Sequence, residues 1–135
     1  MPATTAAGQD AAEPVTECQQ TYPGRADQVR RVRRDVAGHL DGCPAREDAV
    51  IAASELAANA IVHSRSRGHQ FTIRVQRRPG HVRVECHDQG GPWRPRRPDD
   101  RPHGLAIVQA LAGPEGWGVQ VTGDGGRIIW AQLTW

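Results

Sequence analysis

The chain has 135 residues, which suffices for one compact domain with a two-layer core and is too short for two independent domains. Its 17 basic residues are all arginine and face 15 acidic residues, and a net charge of +2 is too small to indicate a nucleic-acid-binding protein. The cysteines are odd in number and lack CxxC spacing, which argues against a disulfide framework or zinc site and favours a reducing, cytoplasmic location; they are Cys18, Cys43 and Cys86.

The first 14 residues are small and polar, without hydrophobic periodicity, and we predict a disordered tail there and a folded domain over residues 15–135. This stretch has neither the basic start nor the apolar run of a signal peptide, and the chain nowhere has about 18 consecutive apolar residues. The sequence therefore predicts a protein that is neither exported nor inserted in a membrane.

Two helices are predicted after a short strand that ends at Pro23. Apolar residues recur at spacings of three and four from Val29 to Leu40, with arginines between them that form a solvated face. The second helix spans residues 43–64, with Pro44 at its start and an alanine-rich interior. At 100° per residue, Glu55, Asn59 and His63 fall nearly opposite its apolar stripe, which predicts a polar row that faces away from the main packing surface of the helix.

The period changes to two after residue 69, which predicts a β-hairpin over residues 71–87. Residues 88–104 are rich in proline, glycine and arginine and predict a long loop, a candidate lid, since loops above about 12 residues in a compact domain are usually functional. A third helix to Ala112 and two final strands follow. One apolar sheet face and three amphipathic helices predict an α+β fold, a two-layer sandwich of a mostly antiparallel sheet covered on one face.

Three segments, in order, resemble one protein family. They are "SELAANAIVHS" at residues 54–64, "VECHDQGG" at 84–91 and "HGLAIVQAL" at 103–111. The set resembles the histidine-kinase-like (Bergerat) ATPase fold, and within it the anti-sigma-factor serine/threonine kinase branch. The resemblance runs from about residue 23 to the C-terminus and implies ATP and Mg²⁺ as cofactors.

The resemblance also implies roles for individual residues. Glu55 matches the family's general base, and Asn59, one helical turn later, matches the ligand that offers its carbonyl oxygen to Mg²⁺. Asp88 matches the carboxylate that accepts a hydrogen bond from the adenine amino group. The remaining nucleotide contacts implied are backbone groups, where absence of a Cβ or a helix N-terminus favours close approach: Gly90, Gly91, His103, Gly104 and Leu105.

Two departures from the family pattern fall at the phosphate end. Pro102 replaces the first glycine of the Gly-x-Gly that usually precedes the third helix, and proline has no N–H to donate. Ile128 stands where a hydroxyl is expected from the family's Gly-Lys-Thr or similar segment.

Three hypotheses of different kinds remain open at this point. The first is an ATP-dependent serine/threonine kinase that phosphorylates or sequesters a protein partner, a sigma factor or an anti-sigma antagonist, in transcriptional control, with a homodimer among the expectations. The second is a nucleotide-binding module without phosphoryl transfer. The third is a nucleotide-free interaction domain or RNA binder that uses the loop arginines, which apart from Trp93 lack the aromatic residues of a stacking platform; these are Arg94, Arg96, Arg97 and Arg101.

Overall fold

The computed structural model describes residues 15–64, 66–90 and 105–135. The predicted tail and all but the first three residues of the candidate lid lie outside these ranges, so both stay predictions. Within the ranges, five strands and three helices follow one another in the predicted order. They are β1 Thr16–Pro23, α1 Gln28–His39, α2 Arg46–His63, β2 Gln70–Arg78, β3 His81–Asp88, α3 Leu105–Ala112, β4 Trp117–Val121 and β5 Arg127–Thr134.

The five strands form one sheet in the order β1-β2-β3-β5-β4, and every neighbouring pair is antiparallel. Strand β3 is central, with β2 on one side and β5 on the other. The register places the last residue of β3, Asp88, opposite the first residue of β5, Arg127. The predicted α+β sandwich is confirmed, and its sheet is wholly antiparallel in the described part of the chain.

The core lies between the helices and one face of the sheet, here called the covered face. The alternation along β3 and β5 supplies much of it: Val82, Val84 and Cys86 from one strand and Ile129, Ala131 and Leu133 from the other are buried. Helix α2 packs on this face and also contacts α1 and α3. Its Leu56 is fully buried, and truncation to alanine at such a site costs about 2–5 kcal/mol.

Asn59, which the helical wheel places away from the main packing stripe of α2, has 0% of its surface exposed. Because α2 touches the sheet, α1 and α3, it is buried around most of its circumference, and its alanines let these neighbours approach closely. Glu55 and His63 are half-buried, while Ile51 and Val62 are the exposed large apolar residues of this helix. A helical wheel gives the direction in which each side chain points from the helix axis, but it does not give the number of elements that pack around the helix.

The other face of the sheet, here called the open face, carries paired charges, together with Ile128 and Trp130 of β5. Glu85 accepts a hydrogen bond from Arg83 Nε and contacts His87 Nε2, each at 2.7 Å, and Arg74 pairs with Glu17 at 2.6 Å. Arg83 also lies over the Trp130 ring, 4.4 Å from its centroid. The arginines of α1 are exposed as predicted, and no helix in the described ranges is long and apolar enough to span a membrane.

Candidate functional site

Asp88 ends strand β3 on the covered face, and its side chain has no exposed surface. Its Oδ1 accepts a hydrogen bond of 2.7 Å from the backbone N–H of Gly90, which closes the turn that follows the strand. Since the carboxylate is enclosed, a ligand reaches it only when a neighbouring group moves aside.

Arg127 supplies the counter-charge for this carboxylate. Its Nε and Nη2 both donate to Asp88 Oδ2, at 3.1 and 2.9 Å, and its side chain is only 6% exposed. A buried carboxylate without such a partner is costly, because the protein interior solvates charge poorly. The cross-strand register of β3 and β5 creates the pair, so sheet topology fixes it.

Arg127 also joins the carboxylate to helix α2. Its Nη2 donates to the backbone carbonyl of His63 at 3.5 Å, at the C-terminal end of the helix, where the carbonyls favour a cation. Glu55, Asn59 and His63 follow at intervals of four along the same helix, so they lie along one side of it. The structure therefore connects the predicted base-binding carboxylate to the helix that carries the predicted general base and metal ligand.

Asn59 is a buried polar side chain whose hydrogen-bonding groups are unsatisfied. Its carboxamide is fully buried, and neither Oδ1 nor Nδ2 has a hydrogen-bond partner among the described residues. Leaving such a group unsatisfied costs about 1–3 kcal/mol, so a buried orphan carboxamide calls for an explanation. A hard oxygen donor in this position fits a Mg²⁺ ion that carries most of its other ligands as water and phosphate oxygens.

Glu55 is half-buried and makes no hydrogen bond or ion pair with any residue in the described ranges. A carboxylate in that state is accessible to solvent and can accept a proton from a hydroxyl brought within hydrogen-bond reach. Its position one turn before Asn59 is thus compatible with the predicted role.

The backbone conformation and packing at Gly90 require a glycine, independently of any ligand. Its φ is +67°, and a Cβ there would collide with the carbonyl oxygen of Gly125 in the turn before β5. Leu105 begins α3 and its side chain is part of the core. Three predicted nucleotide contacts, together with Pro102, lie outside the described residues and stay predictions: Gly91, His103 and Gly104.

Arg127 is the site residue that the sequence reasoning missed. The expectation at this strand concerned Ile128, but the alternation of β5 places Ile128 on the open face and Arg127 beside Asp88. A signal was available, because Ile129, Ala131 and Leu133 define the buried face by their period of two and Arg127 falls on the same face. A charged residue at a position patterned as buried indicates a buried partner.

Cys86 lies two residues before Asp88 on the same face and is fully buried. Burial, followed by the nearby charge of Asp88, raises the pKa of its thiol well above the ordinary value, so the thiol is unreactive in the folded protein. All three cysteines are unpaired with one another. The described residues contain no cluster of three or more His, Cys, Asp or Glu that could hold a metal.

Comparisons with known proteins agree with this architecture. The chain is similar to a structure of the RsbU and RsbW domains of Rv1364c from Mycobacterium tuberculosis, with 22% identity and a TM-score of 0.68 over 90% of this chain. It covers 33% of the chain in that structure. No curated protein matches the chain. The family model of the histidine kinase-like ATPase domain matches residues 22–124, and the chain therefore belongs to that family.

Proposed function

We propose that the protein is an ATP-binding regulator of the anti-sigma-factor serine/threonine kinase type. The observation that carries the proposal is Asn59, whose buried carboxamide has no partner among the described residues and lies one helical turn from Glu55. A chain that folds around an unsatisfied amide accepts a cost in stability, and a ligand that uses the amide explains why.

Each residue has a defined task in the proposed reaction. Glu55 accepts the proton of the attacking hydroxyl, whether water or a serine or threonine of the partner, as its oxygen bonds to the terminal phosphorus of ATP. The bond from that phosphorus to the bridging oxygen breaks, and ADP leaves with the bridging oxygen. Asn59 would hold Mg²⁺ through Oδ1, and bound Mg²⁺ neutralises negative charge on the phosphates. Asp88 accepts a hydrogen bond from the base. Arg127 keeps Asp88 in place, and the N-terminus of α3, with Leu105 as its first described residue, favours phosphate.

The family match supports nucleotide binding, and the name of the structural neighbour includes an RsbW domain. The proposed partner is a protein, a sigma factor or an anti-sigma antagonist, and the proposed location is the cytoplasm. A homodimer is part of the proposal, with the first strand as one route because β1 is an unpaired edge of the sheet within the described residues.

The test is calorimetric titration with ATP, with and without Mg²⁺, on wild type and on Asn59→Leu. Leucine has the same number of side-chain heavy atoms and no polar group, so it removes the unsatisfied amide. We expect Mg²⁺-dependent affinity to be lost while the free energy of unfolding rises by about 1 kcal/mol. Lost stability with unchanged Mg²⁺-dependent binding contradicts the proposed role of Asn59.

Glu55→Gln is the matched control for chemistry. It keeps the size of the side chain and its solvent exposure, so we expect ATP affinity to be unchanged and ATP hydrolysis or phosphoryl transfer to fall by about 10²–10⁴-fold. Transfer at the wild-type rate would show that Glu55 is not the base.

A second candidate function is a module that interacts with a partner and transfers no phosphoryl group. The observation that favours it is the enclosure of Asp88, whose carboxylate is already bound by Arg127 and Gly90. Absence of binding at millimolar ATP would support this second function and exclude the first.

A further inference from the structure

The acceptor capacity of Asp88 limits which base the site can take. A carboxylate offers about four lone-pair positions, two on each oxygen. Gly90 N–H takes one position on Oδ1, and Nε and Nη2 of Arg127 take both positions on Oδ2. The described contacts therefore leave one acceptor position, and it lies on Oδ1.

Purines differ in what they demand of such a group. The edge of adenine carries one amino donor beside a ring nitrogen that accepts, so a single carboxylate lone pair satisfies the donor. Guanine presents its ring N–H and its amino group side by side, and a carboxylate matches them by using both oxygens at once. With Oδ2 occupied, one guanine donor is left unmatched in a buried site, and an unmatched buried donor lowers affinity by about tenfold or more.

We propose that Arg127 is a specificity-determining residue, which excludes guanine from the site by occupying both acceptor positions of Asp88 Oδ2. The inference rests on the proposed function, since it requires that the site binds a purine nucleotide at Asp88. A neutral residue that cannot donate hydrogen bonds at this position of β5 would leave both acceptor positions of Oδ2 free.

Arg127 is held well enough to act in this way. Its residue surface is 5% exposed, its planar guanidinium bonds one carboxylate oxygen through two nitrogens, and the carbonyl of His63 anchors it from the helix side. A guanine nucleotide could free Oδ2 only by displacing two charge-assisted hydrogen bonds in a buried place, where such bonds are strongest.

The experiment measures the Kd values of Mg-ATP and Mg-GTP for the wild-type chain, Arg127→Met, Arg127→Lys and Arg77→Lys. Methionine releases both positions on Oδ2. Lysine keeps the positive charge beside Asp88 but lacks the planar guanidinium. It therefore frees part of the acceptor capacity of Oδ2 without leaving a buried unpaired carboxylate. Arg77 is the matched control, because it is a buried arginine on the covered face that contacts no carboxylate in the described ranges.

We expect wild type and Arg77→Lys to prefer ATP, and Arg127→Met to reduce the ATP-to-GTP affinity ratio by about tenfold or more, chiefly through tighter GTP binding. Arg127→Lys should reduce the ATP-to-GTP affinity ratio by a smaller factor. If the methionine variant does not fold, the result for the lysine variant alone tests the inference. An unchanged ratio in folded Arg127 variants that still bind ATP overturns this inference and leaves the proposed function intact. A wild-type chain that binds neither nucleotide overturns both.

Discussion

Two acidic residues of strand β3, Asp88 and Glu85, pair with arginine on opposite faces of the same sheet. The side chain of Asp88 on the covered face has no exposed surface and is bound by the Gly90 N–H and by Arg127. Glu85 on the open face is only 8% exposed, but its partners Arg74, Arg83 and His87 are side chains that are themselves partly exposed to solvent. The two carboxylate–arginine groups therefore differ in their surroundings: the Asp88–Arg127 pair is buried at the candidate site, and the Glu85 network lies at the surface of the sheet.

The physical difference lies in solvent access. Water and salt screen charges that long side chains cover, because those side chains move, whereas a pair sealed by backbone keeps its full electrostatic strength and its full desolvation cost. We therefore expect the covered pair to dominate stability and to resist salt, and the open network to contribute little and to respond to salt and pH.

Breaking the covered pair should have the largest effect. Arg127→Met leaves Asp88 as an uncompensated buried charge, and we expect the free energy of unfolding to fall by about 3–5 kcal/mol. The double variant Asp88→Leu/Arg127→Met should recover most of that loss, because no buried charge is left. Urea denaturation of both single variants and the double variant measures the coupling, and additive losses would contradict a sealed pair.

The ion pair with Arg127 also affects how the role of Asp88 in nucleotide binding is tested. Asp88→Asn removes the counter-charge of Arg127, so loss of nucleotide affinity in that variant alone mixes a lost contact with a damaged fold. A variant that changes both residues separates the two effects, since it removes the base contact without an orphan charge.

A substitution at Gly90, in the turn after β3, should destabilise the covered face by less than loss of the Asp88–Arg127 pair. Gly90→Ala forces a side chain into φ +67° and against the carbonyl of Gly125, and we expect a loss of about 2 kcal/mol. Gly123→Ala is the control, because a Cβ there meets no atom within 4 Å. Equal urea midpoints for the two variants would show that the turn relaxes freely.

On the open face, Glu85→Gln should cost about 1 kcal/mol at neutral pH, a value typical of a partly screened network. Burial opposes ionisation of Glu85, but hydrogen bonds from Arg83 and His87 outweigh it and lower its pKa below 4.5. A lowered pKa means that the stabilisation is present above about pH 4.5 and is lost as the pH falls through the folded-state value. Wild type and variant should therefore converge in acid, and a difference that persists there contradicts the assignment.

Glu17→Gln should have the smallest effect. Glu17 is on the edge strand β1, and hydrogen bonds from Arg74 and then Gln76 lower its pKa. Because the pair is exposed, we expect only a slight decrease of the urea midpoint, which disappears at high salt. A salt-independent decrease as large as that of Glu85→Gln would show that the two faces do not differ as described.

The order and kind of the elements follow from local pattern. Period-two alternation in residues 71–87, the helical spacing from Val29 to Leu40, and the alanine-rich run after Pro44 each correspond to the element that they predict. These patterns are local consequences of backbone geometry, so a single sequence reveals them. The motif set was likewise sufficient to predict the family that the comparison later identified.

Other features needed the assembled molecule. Asn59 is buried because α2 has neighbours on three sides, and no property of residues 54–64 gives the number of those neighbours. The motif pointed to Ile128, but the strand register decides the face on which each residue lies, and it places Arg127 beside Asp88.

The sequence by itself determined the α+β class, the element order and the positions of Glu55, Asn59 and Asp88 in the chain, because short-range periodicity and motif spacing are contained in neighbouring residues. Tertiary structure alone decided that Arg127 meets Asp88, 39 residues apart, and reaches the end of α2 at His63. That contact depends on the pairing of β3 with β5 and the packing of α2 on the sheet, and long-range pairing of this kind is fixed only when the chain is folded.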